Sequence, residues 1–369
     1  MTQTTLNVET LRGMLNQGQP VTVLDVRHSQ EWAEWAIPGS INVDAYDALK
    51  ANNPNALAGV DLPGDRPVVT VCGAGVTSLT AAEQLRVRGF QALSLTGGMK
   101  AWSLAWNSAE LPLPNSKAQV IQVRRTGKGC LTYLIGSQGE AAVIDPALDP
   151  EVYLNLAQEH GWTISHIFET HIHADHLSRA RTLAEQCGAT LHLPAQDRAA
   201  FPFQPIQDND EFTIGAARLA ALRTPGHTGE STCYLLDNQA LFSGDTLFLA
   251  SVGRPDLEAT AEESRVRARL LYHSLQRLLT LSPETLILPG HTSEPIAFDG
   301  QAITASLAQV SQAVELPHLP KAKFVETILA RIPPTPPNHH RIVELNEAGR
   351  LPDEDATNLE EGANRCAVA

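Results

Sequence analysis

Apolar positions come in short blocks whose spacing changes along the chain. From Val21 to Val26, and again from Val68 to Cys72, β-branched apolar runs alternate with helix-like stretches such as Ser78 to Arg88. That rhythm predicts an α/β domain with a parallel sheet over residues 1–110. Two prolines and several polar residues between Glu110 and Lys117 then interrupt the pattern, as a linker over 111–117 would. Beyond it, Ala118 to Arg124, Leu131 to Ile135 and Ala141 to Ile144 read as consecutive strands of an antiparallel-looking sheet. A helix follows over about 150–160. The apolar run Ile164 to Glu169 precedes a histidine cluster, and Ser178 to Cys187 reads as a helix after it. A second domain over 118–300 is therefore expected, followed by a helical extension and irregular tail over 301–369. Residues 301–331 are helix-rich, whereas Pro333, Pro334, Pro336, Pro337 and an acidic stretch from Asp353 to Glu361 are irregular.

Composition narrows what these domains can do. At 43% hydrophobic and 18% charged residues, the 369-residue chain has the makeup of two ordinary globular domains. With 27 basic against 41 acidic side chains the formal charge is -14, which disfavours nucleic acid as a partner. No basic cluster leads an apolar run at the start, and no stretch approaches the ~20 apolar residues that span a bilayer. Five scattered cysteines do not form the dense framework of a secreted mini-domain, so a soluble cytoplasmic protein is expected, with self-association left open.

The strongest chemical signal is Thr170-His171-Ile172-His173-Ala174-Asp175-His176, directly after a predicted buried strand. In extended backbone residues two apart face the same way, so His171 and His173 are expected to share a pocket. Three more ligand candidates each follow a glycine at a separate strand end: Gly226-His227, Gly244-Asp245 and Gly290-His291. Any one of these histidines alone would be read as a packed core residue. Their repetition in one setting points to a metal site.

This order of motifs resembles the metallo-β-lactamase superfamily over about 118–299, which implies an αββα sandwich with the site at one edge. Two branches share the ligands: glyoxalase II thioester hydrolases with two metal ions, and persulfide dioxygenases with one ferrous ion on two histidines and a carboxylate. Gly253-Arg254-Pro255-Asp256 is similar to a segment of the dioxygenases, where the arginine lies near the site. Arg254 is expected either to bind substrate or to clamp Asp256 internally. After His291 stand Thr292 and Ser293, where some glutathione-specific members carry an aromatic residue.

In the first domain, Cys72 ends an apolar strand and is followed by Gly73, Ala74, Gly75, Val76 and Thr77, which run into a predicted helix. Backbone N–H groups of such a loop cradle an anion, which favours a nucleophilic thiolate over a structural cysteine. The surroundings resemble rhodanese sulfurtransferases over residues 6–108: Leu24-Asp25-Val26-Arg27, Ile37-Pro38-Gly39, the Cys72 loop, and Gly97-Gly98-Met99 stand in that family's order. The resemblance implies that Cys72 carries sulfane sulfur, with the loop 73–77 cradling it, while Asp25 and Arg27 stabilise the fold. The arginine that often follows the cysteine is Gly73 here. Cysteine-based phosphatases carry an arginine six positions after theirs, where Ser78 stands.

Tethering a domain that carries sulfane sulfur to one that consumes persulfides raises effective concentration, whereas a thioesterase gains nothing evident from it. The expected activity is oxidation of a low-molecular-weight thiol persulfide by dioxygen to sulfite and free thiol, with sulfur exchange to sulfite or thiosulfate through Cys72. The resemblance implies one Fe(2+) on His171, His227 and Asp245, with His173, Asp175, His176 and His291 as orienting groups or a second metal site. The alternative is a dinuclear Zn(2+) thioester hydrolase.

Overall fold

The computed structural model describes residues 4–362 and 364–368. Five strands form the first sheet, in spatial order Thr5–Leu6, Ala92–Leu95, Val68–Val71, Thr22–Asp25 and Ile41–Asn42, every pair parallel. A parallel sheet is covered on both faces, which is why Val68–Val71 and Thr22–Asp25 are buried at every position. Helices Val8–Asn16 and Gly98–Trp102 cover one face through Leu11 and Trp102. Helices Tyr46–Lys50 and Thr77–Val87 cover the other through Leu49, Ala81 and Leu85.

The second domain is two sheets face to face. One has seven strands, ordered Gln204–Ile206, Thr190–Pro194, Thr163–Phe168, Glu140–Ile144, Cys130–Ser137, Gln119–Arg125 and Asn107–Leu111. Its last four strands are mutually antiparallel, as the sequence pattern suggested. The other has six, ordered Glu211–Ile214, Ala217–Arg223, Thr232–Leu236, Ala240–Gly244, Leu286–Pro289 and Ala305–Ser306. Tyr133, Phe168, Tyr234 and Phe242 fill the space between the sheets. Helices Pro150–Glu159 and Ala180–Cys187 pack outside the first sheet, and Ala261–Leu278 with Lys321–Ala330 outside the second, completing four layers.

Two expectations change. Asn107–Leu111 pairs along its whole length with Gln119–Arg125, so the stretch 111–117 is the turn of a hairpin inside the second domain, and the junction falls near residue 106. Proline and polar residues mark such a turn as readily as a linker. The tail is also more ordered than its prolines implied. It contains helices His339–Ala348 and Thr357–Glu360, and it ends in strand Ala367–Val368 paired with Val252–Gly253. Among the described residues no helix is long and apolar enough to cross a membrane.

The domains meet closely. Arg125 Nε donates to the carbonyl of Ser103 at 2.7 Å, and a Cβ on Gly127 would lie 1.8 Å from the carbonyl oxygen of Trp102. Buried Glu360 accepts from Arg125 at 3.1 Å and from Arg179 at 3.2 Å, fastening the tail to the second domain.

Candidate metal centre and sulfur-carrying cysteine

Four loops at the ends of strands deliver the ligands to the sandwich edge. His171, His173, Asp175 and His176 follow Thr163–Phe168, His227 follows Ala217–Arg223, Asp245 follows Ala240–Gly244, and His291 follows Leu286–Pro289. The glycines permit this convergence: Gly244 adopts φ +48, and a Cβ on Gly290 would sit 2.7 Å from Asp245 Oδ1.

His171, His227 and Asp245 bring one ligand atom each into a single buried group. His171 Nε2 lies 3.9 Å and His227 Nε2 3.7 Å from Asp245 Oδ2. Atoms bound about 2.1 Å from a shared ion stand roughly 3 to 3.5 Å apart, so a small contraction would seat one ion. His171 Nε2 and Asp245 Oδ2 are buried without a hydrogen-bond partner, a costly arrangement unless a cation satisfies them. The tautomers fit as well. His227 Nδ1 must donate to the carbonyl of Arg254, 2.8 Å away. Thr170 Oγ1 donates to Asp145 Oδ2 at 2.8 Å and so accepts from His171 Nδ1 at 2.8 Å. Both Nε2 atoms are left with free lone pairs. Burial holds both imidazoles below their usual range, helped at His171 by the neighbouring His173 and His227, so both are neutral near pH 7. The donor set fits a divalent ion.

The other histidines behave differently. His173 lies beside His171, ring centroids 4.2 Å apart, yet turns Nε2 to Glu169 at 2.9 Å and Asp145 at 3.3 Å. The two side chains border one cavity, as expected, although the chain leaves the strand after Phe168 and His173 aims its Nε2 at the carboxylates. His291 bridges carboxylates, with Nδ1 at 2.6 Å from Asp245 Oδ1 and Nε2 at 2.8 Å from Asp175 Oδ2. Burial opposes its charge, but Asp175 and Asp245 outweigh it and hold the imidazole well above its ordinary value. Asp175, His176 and His291 form a second buried group together with Cys130.

Sequence reasoning missed several contributors. Cys130 has its sulfur 3.7 Å from Asp175 Oδ2; it reaches the centre through an isolated bridge to His291 between the two sheets, which no local pattern reveals. Asp145 and Glu169 orient histidines from strand ends. The tail adds Asn364, whose Nδ2 donates to Asp175 Oδ2 at 2.8 Å, and Cys366, which groups with Asp245 and His291. Asn346 donates to the carbonyls of His173 and His176.

Arg254 is the internal clamp and not a substrate ligand. It is fully buried; Nε and Nη2 each bond Asp256 at 2.8 Å, while Nη1 and Nη2 also reach the carbonyls of Pro334, Arg365 and Pro333. No face of the guanidinium is left for a substrate. A cavity of about 520 Å³ reaches His291 and is bordered by Phe248, Ser251, Thr292, Ser293 and Asn364.

In the first domain Cys72 is buried at the end of Val68–Val71. The backbone N–H that reaches its sulfur belongs to Ser78, at 3.3 Å, and the Ser78 hydroxyl lies at the same distance. The N–H donor is thus in the first turn of helix Thr77–Val87, just past the loop Gly73, Ala74, Gly75, Val76 and Thr77 expected to supply it. Met99 and Lys100 donate backbone N–H to the carbonyls of Cys72 and Gly73, each at 2.9 Å, and a Cβ on Gly98 would lie 2.2 Å from the Cys72 carbonyl. The glycines at 97–98 therefore let one helix start buttress the loop. Arg27 grips Asp25 in a buried two-pronged pair and reaches the carbonyl of Trp35, a structural role as expected. Between the domains, a cavity of about 340 Å³ is bordered by Gly73, Arg27, Glu34, Lys100 and Arg365.

Residues 125–291 match the metallo-beta-lactamase superfamily, and residues 7–105 match the rhodanese-like domain. The chain is 35% identical over 156 residues to the hydroxyacylglutathione hydrolase of Rhizobium johnstonii, covering 42% of this chain and 57% of that protein. The corresponding hydrolase of Maricaulis maris is 36% identical over the same length and coverage. The chain thus spans little more than half the length of these curated relatives. Among solved structures it is similar to a metallo-beta-lactamase from Staphylococcus aureus (29% identity, TM-score 0.58, 66% of this chain and 74% of that one). It is similar also to ETHE1 from Myxococcus xanthus (29% identity, TM-score 0.53, 66% of this chain and 99% of that one).

Proposed function

We propose, for a chain that joins a rhodanese-like domain to a domain of the metallo-β-lactamase superfamily, that it is an iron-dependent persulfide dioxygenase coupled to sulfur transfer through Cys72. The observation that carries this reading is the group of His171, His227 and Asp245, three neutral-nitrogen and carboxylate donors on one side of the centre. Two histidines and one carboxylate leave positions open for guests, the arrangement suited to ferrous iron in oxygen-using sites. A bound ferrous ion would supply the site at which a persulfide and dioxygen meet.

The chain's residues have separable tasks. Thr170 and the Arg254 carbonyl fix the ligand imidazoles in one tautomer. His291, charged between Asp175 and Asp245, places a proton donor beside the cavity that a thiol persulfide would enter. Cys72, below the helix start, would exchange sulfane sulfur with sulfite or thiosulfate, and the short junction keeps the two chemistries at high effective concentration. The overall conversion balances as persulfide, dioxygen and water giving thiol, sulfite and two protons.

A second reading has its own support. The hydrolase relatives are 35–36% identical in the second domain, and Asp175, His176 and His291 group on the far side of the centre, where a dinuclear zinc hydrolase would hold its second ion. Anaerobic purification, metal quantification and oxygen uptake with glutathione persulfide separate the two. Iron near one per chain with oxygen uptake supports the dioxygenase. Two zinc ions per chain with thioester turnover and no oxygen uptake overturns it.

A further inference from the structure

The C-terminal segment enters the centre. Asn364 and Cys366 face it while Arg365, between them, points the other way, pairing with Glu34 of the first domain and bordering the interdomain cavity. That is the alternation of an extended strand. The segment is fixed there from several directions. The Arg254 backbone N–H donates to the Cys366 carbonyl at 3.0 Å, its guanidinium to the Arg365 carbonyl at 3.1 Å, and Cys366 N–H to Asn364 Oδ1 at 2.8 Å. Val252 and Gly253 then pair with Val368 and Ala367.

We propose that Cys366 is a ligand of the metal centre: the tail supplies a thiolate of the chain's own, set beside Asp245 and His291 where an external thiol would have to bind. The inference rests on the reading of this centre as metal-binding. The sulfur, a carboxylate oxygen of Asp245 and a nitrogen of His291 lie within 4.8 Å of one another, and all three side chains are buried. Asp245 Oδ2 is buried and lacks a hydrogen-bond partner, so the group around Cys366 contains an orphaned ligand atom as well as a thiol. Sulfur is a good donor to zinc and to iron. A thiol substrate would then enter by displacing Cys366, so the resting centre is closed by its own tail.

Cobalt substitution reads this directly, because thiolate ligation of cobalt(II) gives a sulfur-to-metal absorption band that nitrogen and oxygen ligands do not. Full-length protein loaded with cobalt should show the band. Cys366→Ser should lose it while remaining folded by thermal unfolding, and its cobalt affinity should drop by about tenfold. Cys130→Ser, which removes the other sulfur near Asp175, should keep the band. Cobalt-bound protein with no such band, or a band that survives in Cys366→Ser, would overturn the assignment and leave the metal centre standing. Failure of the unaltered protein to bind iron, zinc or cobalt would sink the centre itself.

Discussion

The backbone carbonyl of Arg254 accepts a 2.8 Å hydrogen bond from His227 Nδ1, and the same residue's guanidinium holds Asp256 and three tail carbonyls. One residue thereby sets a ligand tautomer and pins the segment over the site. Arg254→Ala is expected to cost about 3 kcal/mol of stability, since it strands partners inside the protein. It should also lower metal affinity roughly tenfold or more by loosening an orienting contact. Arg254→Lys should restore little, because an ammonium cannot reproduce the fork. Urea unfolding and metal titration check both effects. A variant with unchanged metal affinity would show that His227 is oriented without the clamp.

Glu360 is the acid-sensitive fastening. Burial alone would raise its pKa, but Arg125 and Arg179 pull the carboxyl down to about 2. A carboxylate depressed in the folded state stabilises the protein above its unfolded value near 4.5, and that contribution is lost as pH falls toward 2. It amounts to something on the order of 3 kcal/mol. Glu360→Gln should destabilise the protein by a similar amount at pH 7, leaving Arg125 buried and unpaired, and should flatten the acid limb of stability against pH between about 4.5 and 2. Equal pH dependence in both proteins would assign the acid sensitivity elsewhere.

Sulfur transfer and oxygen uptake should separate by mutation. His227→Ala is expected to abolish oxygen uptake with glutathione persulfide. Cys72→Ser should spare it and remove sulfur transfer to sulfite. Ser78→Ala keeps the N–H at the Cys72 sulfur but loses the hydroxyl 3.3 Å away. It should lower kcat/KM for transfer about fivefold, the worth of one modest hydrogen bond. Loss of both activities in Cys72→Ser would mean the two domains do not work independently.

How much of this was legible depends on the range of the contacts. Strand and helix positions followed from local periodicity: Val68–Val71 is buried on both faces and reads as an unbroken apolar run, and Thr77–Val87 as the helix after it. His171, His227 and Asp245 were visible because strand ends and glycines mark them locally, and the fold brings them together as one group. Cys130, Asp145, Cys366 and Asn364 carry no such mark. They become site residues through sheet register and through a tail that returns across the molecule from far along the chain. The turn of His173 Nε2 toward Asp145 was illegible for a related reason, since that carboxylate comes from the end of another strand. Arg254 was legible as a pair with Asp256 two residues on, but not as the anchor of a segment more than a hundred residues away.

Gly253 offers a steric test of how tightly the centre is built. A Cβ added there would lie 1.9 Å from the carbonyl oxygen of Asp245 and 3.1 Å from His227 Cβ. The obstruction is backbone and the stem of a ligand, so neither can swing aside as a long flexible side chain would. Gly253→Ala should therefore cost about 1–3 kcal/mol in stability and push two ligand-bearing loops apart, reducing bound metal per chain. Gly73→Ala, beside Cys72, meets nothing within 4 Å and should leave both stability and metal content near those of the unaltered protein. Thermal unfolding with metal analysis of the two variants decides the matter. If Gly253→Ala retains full metal content, the contact between this strand and the Asp245 loop is more yielding than its geometry implies, and the clamp at Arg254 alone holds the ligands in place.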